Sequence, residues 1–220
     1  VQNEGGFFAA VEAGKVQEAM KATSAKRLKD VSARKEVLLG TNQFPNFSEM
    51  AAEKITKEAC TCANCGCETP RGLATLPTVR AAQEFEDLRL ATERSAKRPK
   101  AFMLTIGNLA MRLARAQFSC NFFACAGYEV IDNLGFETVE AGVEAAQKAG
   151  ADIIVLCSSD DEYAEYAIPA FKYLNDRALY VVAGAPACTE ELKAAGIENF
   201  INVRSNQLET LKEYNAKLGI

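Results

Sequence analysis

The chain has 220 residues, 49% hydrophobic and 25% charged, with a formal net charge of −4, which is an ordinary globular composition. It contains no histidine, which excludes Ser-His and Cys-His nucleophile pairs, histidine general bases and histidine ligands to a metal or corrin. No apolar run reaches membrane-spanning length. Residues 101–220 carry nine Lys/Arg against sixteen Asp/Glu, so this part does not resemble a nucleic-acid-binding surface.

The first 47 residues predict two helices, Phe7–Ala22 and Ser24–Lys35, followed by one strand-like run at Glu36–Leu39. A lone strand cannot satisfy its own backbone groups, so this run needs a sheet from further sequence or from a partner. The chain begins without Met and without a signal-peptide pattern. We therefore expect a piece of a longer, cytoplasmic protein whose thiols are reduced.

Residues 48–97 are predicted to form a linker with a cysteine-rich segment and one amphipathic helix, Val79–Arg94. The segment contains Cys60, Cys62, Cys65 and Cys67. Four thiolates so close together are able to bind a soft metal such as zinc, which is one hypothesis for this segment. The alternative is a mobile, oxidisable linker, because one short loop closes around an ion less readily than two separated pairs.

Residues 98–220 alternate five times between strand and helix. The predicted strands are Ala101–Ile106, Tyr128–Ile131, Asp152–Cys157, Ala178–Ala183 and Phe200–Val203. This alternation predicts an α/β fold with a five-stranded parallel sheet, helices on both faces and the flavodoxin-like strand order 2-1-3-4-5. The remaining cysteines are predicted to be small core residues; they are Cys120, Cys125, Cys157 and Cys188.

In such a sheet, ligands bind beyond the carboxyl ends of the strands. The sequence places several polar or flexible residues there: Gly107, Asn108, Asn133, Ser158 to Asp161, and Gly184 to Pro186. Ser159 and Glu162 match a helix capping box, and the acidic residues 160 and 161 would repel a phosphate. For Arg112 and Arg115, three residues apart on the helix after the first strand, solvated charges are the default expectation, and pairing with Asp/Glu or with a partner surface is the alternative. No Gly-x-Gly-x-x-Gly or P-loop motif occurs, so nucleotide chemistry has no support.

Several stretches of the chain carry a resemblance to a known family. They are Arg98–Gly107, Asn121–Phe123 with Gly127–Tyr128, Ile154–Asp160, Ile168–Lys172 and Leu179–Ala185. Through them, residues 98–220 resemble the cobalamin-binding-type domain at the C-terminus of methylmalonyl-CoA mutases. Residues 1–47, above all Arg34–Lys35 and Gly40–Asn46, resemble the last helices and final strand of the TIM barrel in that family. The resemblance implies a truncated barrel followed by the linker and the sheet domain.

The family contains catalytic large subunits and non-catalytic small subunits. Catalytic chains carry an Asp-x-His-x-x-Gly motif after the first strand, whereas Gly107–Arg115 has no Asp, no His and no second Gly. The family's paired glycines are reduced to Ala183-Gly184. The resemblance thus implies a vestigial pocket at Asn108, Ser158 and Gly184, with no catalytic residue and no cofactor bound by this chain.

The resemblance also implies a small-subunit role for the chain. A large catalytic subunit would be the partner, would hold adenosylcobalamin and would interconvert methylmalonyl-CoA and succinyl-CoA. Two alternatives stay open at this point. One is a cobalamin-binding module that uses the base-on form, in which no protein histidine is needed, through Ser158 and Gly184. The other is a metal-binding or redox module centred on Cys60–Cys67.

Overall fold

The computed structural model describes residues 2–54, 76 and 79–220. The helices that it describes are α1 (Phe7–Glu12), α2 (Lys15–Ser32), α3 (Ala51–Lys54), α4 (Gln83–Arg94), α5 (Leu109–Ala124), α6 (Val139–Lys148), α7 (Tyr163–Leu174), α8 (Thr189–Ala194) and α9 (Gln207–Lys217). The strands are β1 (Lys100–Thr105), β2 (Glu129–Ile131), β3 (Ile153–Cys157), β4 (Leu179–Ala183) and β5 (Asn199–Ile201). The strand–helix alternation predicted for residues 98–220 is therefore confirmed.

The five strands form one parallel sheet in the order β2-β1-β3-β4-β5, as the sequence predicts. The central strand β3 is buried along its whole length, which explains why its sequence is apolar on both faces. Thr105 pairs with Cys157, so β1 and β3 end at the same level. The segments after these two strands consequently meet at one edge of the sheet.

Helices cover both faces of the sheet and divide the core into two clusters. Residues of α4, α5 and α9 pack on one face, and residues of α6, α7 and α8 pack on the other. In the first cluster, the ring of Phe123 stacks against Tyr128 and Tyr214, with centroid separations of 5.8 and 6.0 Å. This two-sided burial is what a doubly wound sheet requires.

The N-terminal helices differ from the prediction in where they break. The predicted break near Thr23 is wrong, because α2 runs without interruption from Lys15 to Ser32. The turn lies instead at Gly14, whose φ of 76° is readily adopted by glycine. Thr23 is accommodated inside the helix, where its hydroxyl donates to the Ala19 carbonyl at 2.9 Å.

The strand-like run at residues 36–39 forms no ladder with any strand of the described residues. Leu39 makes only an isolated bridge to Gln43. The fully buried Asn42 holds this turn, since its Oδ1 accepts from the Leu38 N–H at 2.8 Å and its Nδ2 donates to the Glu36 carbonyl at 2.9 Å. The local backbone is therefore fixed by one asparagine side chain.

The end of α2 packs on the sheet domain. Arg34 has a φ of 58° and donates to the Asn202 carbonyl at 3.2 Å. Its guanidinium lies over the rings of Phe118 and Phe122, at 5.0 and 5.3 Å from their centroids, which is cation–π geometry. Ser32 adds a hydrogen bond to Asn206. Within the described residues, no helix is both long and apolar enough to cross a membrane.

Candidate functional site

The residues that the sequence assigns to a pocket lie together at the carboxyl edge of the sheet. Asn108 follows β1 and caps α5, its Oδ1 accepting from the Met111 N–H at 3.1 Å. Ser158 directly follows β3 and is completely buried. Gly184 directly follows β4 and is buried as well. The sheet thus brings three separated parts of the chain to one place.

One carboxylate, that of Glu162, joins two of these segments. Both of its oxygens accept from the Asn108 N–H at 3.0 Å, and Oε2 also accepts from the Ser158 hydroxyl at 2.8 Å. The positive end of the α5 dipole favours an anion at this position. These hydrogen bonds, together with those from Ser159, lower the pKa of Glu162 from its ordinary value to about 2.

The predicted pairing of Ser159 with Glu162 is present, but it differs from a capping box. The Ser159 hydroxyl and N–H both donate to Glu162 Oε2, at 2.7 and 3.2 Å. In a capping box the hydroxyl would accept from the helix instead. Helix α7 begins at Tyr163 and its first turn receives no side-chain cap. The two residues therefore stabilise the loop that precedes α7, and they do not cap the first turn of the helix.

Tyr163 fills the space beside Gly184. Its hydroxyl donates to the Ala183 carbonyl at 2.5 Å and accepts from the Ser158 N–H at 3.2 Å. A Cβ on Gly184 would lie 2.9 Å from the Tyr163 ring and 2.8 Å from Asp160 Oδ1, so no room is left there. The sequence did not indicate this role of Tyr163. Its position at the start of a helix does not predict that its side chain contacts the Ala183 carbonyl at the end of another strand.

The two arginines of α5 are engaged rather than solvated, so the default expectation is wrong, and for Arg115 the alternative of an acidic partner is confirmed. Arg115 forms an ion pair with Asp160 at 2.9 Å. Arg112 donates to the Gly107 carbonyl at 3.1 Å and to the Leu134 carbonyl at 3.0 Å. Each arginine thus ties α5 to another loop at the carboxyl edge, a role that spacing along one helix could not reveal.

The chemistry available at this edge is limited. A carboxylate with a pKa of about 2 is a poor general base near neutral pH, so Glu162 does not activate the Ser158 hydroxyl. Burial raises the pKa of the nearby Cys157 thiol far above its ordinary value, which keeps the sulfur protonated. Neither residue is poised for nucleophilic catalysis.

The hypothesis of a metal site at Cys60, Cys62, Cys65 and Cys67 falls on residues outside those that the structure describes. Within the described part of the chain, no group of three or more Cys, Asp or Glu is arranged to hold a metal ion. Cys120, Cys125 and Cys157 are buried in the core as predicted, whereas Cys188 is only half-buried.

Fold and site together define a doubly wound parallel α/β domain whose carboxyl-end crevice is filled by its own side chains. The family model of methylmalonyl-CoA mutase matches residues 1–118. The chain belongs to the methylmalonyl-CoA mutase family.

Three curated relatives, each named as a methylmalonyl-CoA mutase small subunit, are similar to all or most of the chain. It is 58% identical over 220 residues to the methylmalonyl-CoA mutase small subunit of Porphyromonas gingivalis (strain ATCC BAA-308 / W83), an alignment that covers 100% of this chain and 35% of that protein. It is 33% identical over 171 residues to the small subunit of Streptomyces virginiae, covering 76% of this chain and 26% of that protein. It is 29% identical over 184 residues to the small subunit of Propionibacterium freudenreichii subsp. shermanii, covering 82% of this chain and 27% of that protein. The chain spans roughly a third of the length of these relatives or less.

Proposed function

We propose that this chain is the C-terminal portion of a non-catalytic small subunit in a heterodimeric, adenosylcobalamin-dependent methylmalonyl-CoA mutase. In this proposal the large subunit binds the cofactor and interconverts methylmalonyl-CoA and succinyl-CoA, and the small subunit stabilises it. The names of the relatives support the subunit assignment. The proposal places the complex in the cytoplasm.

The observation that carries the proposal is that side chains at the carboxyl edge of the sheet bond to one another and fill the space there. Among the described residues, the Ser158 hydroxyl is bound to Glu162, and the space beside Gly184 is taken by Tyr163 and Asp160. These residues do not fit a cobalamin, because the groups that would contact it are bonded to one another. The chain also has no histidine with which to ligate cobalt.

Exposed apolar side chains at the same edge support a docking role. Leu109 and Leu134 expose 60% and 89% of their surface, beside the polar groups that the chain itself satisfies. Apolar surface rimmed by polar residues is typical of a protein interface. In the proposed heterodimer, this edge packs against protein rather than against a cofactor.

The proposal also assigns residues 1–47 to the end of a TIM barrel, residues 48–97 to a linker and residues 98–220 to a cobalamin-binding-like domain. The exposure of Phe8 and Leu39, at 82% and 77%, supports the first assignment. In the proposal, further residues of the barrel cover these two side chains. Within the described residues, the strand-like run at residues 36–39 forms no ladder with any strand of the sheet, and the proposal pairs it with a barrel that further sequence would supply.

The base-on cobalamin alternative receives less support, because Ser158 and Gly184, on which it depends, are engaged by Glu162, Tyr163 and Asp160. The alternative of a metal or redox module depends on Cys60–Cys67, which lie outside the described residues. Zinc analysis of anaerobically purified protein, compared with a variant in which these four cysteines are replaced by serine, tests it directly.

The proposal is tested by co-expressing the full-length parent of this chain with a large mutase subunit that carries the histidine motif. We expect the two to copurify with one adenosylcobalamin per heterodimer. The chain alone, dialysed against adenosylcobalamin, should retain none. A lone parent that never associates with a large subunit would overturn the subunit role, and a retained base-on spectrum would favour the cobalamin module.

A further inference from the structure

The crevice between β1 and β3 lies where the sheet changes winding direction. In the order β2-β1-β3-β4-β5, the connections after these two strands leave toward opposite faces of the sheet. Helix α5 packs on one face and α7 on the other. The gap that opens between such diverging loops is the ligand-binding crevice of doubly wound sheets.

Glu162 occupies this gap with a negatively charged group that comes from the protein itself. Its carboxylate accepts from two backbone N–H groups, those of Asn108 and Ser159, and from the hydroxyls of Ser158 and Ser159. The Asn108 and Glu162 positions are 54 residues apart in sequence. Donors from both loops therefore converge on one anion, at heavy-atom distances between 2.7 and 3.2 Å.

We propose that Glu162 is a positioning residue that acts as a built-in substitute for a bound carboxylate and locks the β1–α5 loop to the β3–α7 loop. The donors around it form an anion cradle, and a small free carboxylate replaces the side chain when Glu162 is truncated. The lock stands on the geometry of this crevice alone and does not depend on the subunit role proposed above.

Gly107 provides an independent sign that the close approach is built into the loop. Its φ is +78°, and a Cβ there would lie 2.6 Å from the Glu162 carboxyl carbon. Any other residue at this position would displace the carboxylate or the loop. Asp161, the neighbouring acid, is exposed and serves as a matched control.

The test is thermal unfolding of Glu162→Ala with and without acetate at pH 7, with sodium chloride at equal ionic strength as the reference. The atoms removed by this substitution correspond to an acetate ion, so acetate can return to the same donors. We expect Tm to fall by about 4 °C or more, because charge-assisted hydrogen bonds are lost. Acetate, but not chloride, should restore most of that loss, and amide exchange at Asn108 and Ser159 should slow again.

Two further variants keep the result interpretable. Glu162→Gln fills the cradle without the charge, so it should be destabilised yet indifferent to acetate. Asp161→Ala should match the wild type in Tm and in its response to both salts. The lock is overturned if Glu162→Ala unfolds like the wild type, if acetate fails to restore its Tm or amide protection, or if acetate stabilises all four proteins equally. If Glu162→Ala does not fold, unaltered exchange at Asn108 and Ser159 in Glu162→Gln would overturn it. None of these outcomes depends on a large subunit or on cobalamin.

Discussion

The Tyr128 hydroxyl donates to Asn215 Oδ1 at 2.5 Å, and this buried hydrogen bond joins residues 87 positions apart. Asn215 continues the network by donating from Nδ2 to the Thr92 hydroxyl at 2.9 Å. The network connects α4, α9 and the residue before β2. Helix α4, which precedes the sheet in sequence, is thereby fastened to the last helix of the chain.

We expect Tyr128→Phe to lower the free energy of unfolding by about 1–3 kcal/mol, because Asn215 Oδ1 is left buried without a donor. Urea unfolding followed by circular dichroism measures this loss. Tyr173→Phe is the matched control, since its hydroxyl donates to Glu144 at 2.7 Å on an exposed surface. Equal stability losses in the two variants would contradict the role assigned to the buried network.

A second buried connection fastens α3 to α4, both of which lie within residues 48–97. Arg89 Nε donates to Glu93 Oε1 at 2.7 Å, and only 10% and 0% of the two side chains are exposed. Glu93 Oε2 also accepts from the Ala52 N–H at 2.8 Å. Arg89→Met should destabilise the chain by about 3–5 kcal/mol, since Glu93 is left as an uncompensated buried charge.

The double variant Arg89→Met/Glu93→Leu should be less destabilised than the sum of its single variants, because both charges are then removed. Urea unfolding of the complete cycle measures the coupling. The exposed pair Arg80–Glu86, at 2.5 Å, supplies a reference, and Arg80→Met should change stability by less than about 1 kcal/mol. Additive single effects at Arg89 and Glu93 would contradict a buried pair.

The sheet could be predicted from the sequence because its signal is local. Ile153–Cys157 is apolar on both faces, which is sufficient to place it at the centre of a parallel sheet. The capping signal at Ser159 and Glu162 correctly indicated that the two side chains meet. It could not indicate Asn108, because that contact depends on how β1 and β3 align across the sheet.

The N-terminal helices were harder to predict for a physical reason. The sequence of α2 lacks the single apolar face by which periodicity marks a helix and its ends, and most of its residues are exposed in this chain. Thr23, predicted to lie at a break, bonds to the backbone of its own helix instead. Arg115 was expected by default to be solvated. Its ion-pair partner Asp160 lies 45 residues later, and the sequence near Arg115 does not indicate that contact.

The buried thiols should react slowly in the folded chain. Burial raises the pKa of Cys120 and Cys125 to about 12 and that of Cys157 further, so the reactive thiolate is scarce at pH 8. In a brief iodoacetamide pulse read by peptide mass spectrometry, Cys188 should be labelled before these three. Labelling of Cys157 at the rate of Cys188 would contradict the observed core.

Gly107→Ala should destabilise the chain more than Gly150→Ala does. Both glycines have positive φ, +78° and +69°, so each alanine incurs a backbone penalty of about 1–2 kcal/mol. Only at Gly107 would the new Cβ also collide with Glu162, whereas Gly150 faces open space. In the Glu162→Ala background this extra penalty should largely disappear, which a double-mutant cycle measured in urea detects. An extra penalty that persists without Glu162 would place its origin elsewhere.

The low pKa of Glu162 predicts a specific dependence of stability on pH. The folded-state pKa is about 2, below the ordinary value of 4.5, so the folded protein favours the charged form. Its stabilising contribution is thus fully present above the ordinary pKa and is lost as pH falls toward about 2. The difference in unfolding free energy between the wild type and Glu162→Gln should be constant near neutral pH and shrink below about pH 5. Urea titrations from pH 7 to pH 3 measure this difference.

Glu162→Gln and Glu162→Ala, neither of which titrates at this position, should keep a constant difference in unfolding free energy throughout. A wild-type difference that does not shrink in acid would mean that the charge of Glu162 does not stabilise the fold.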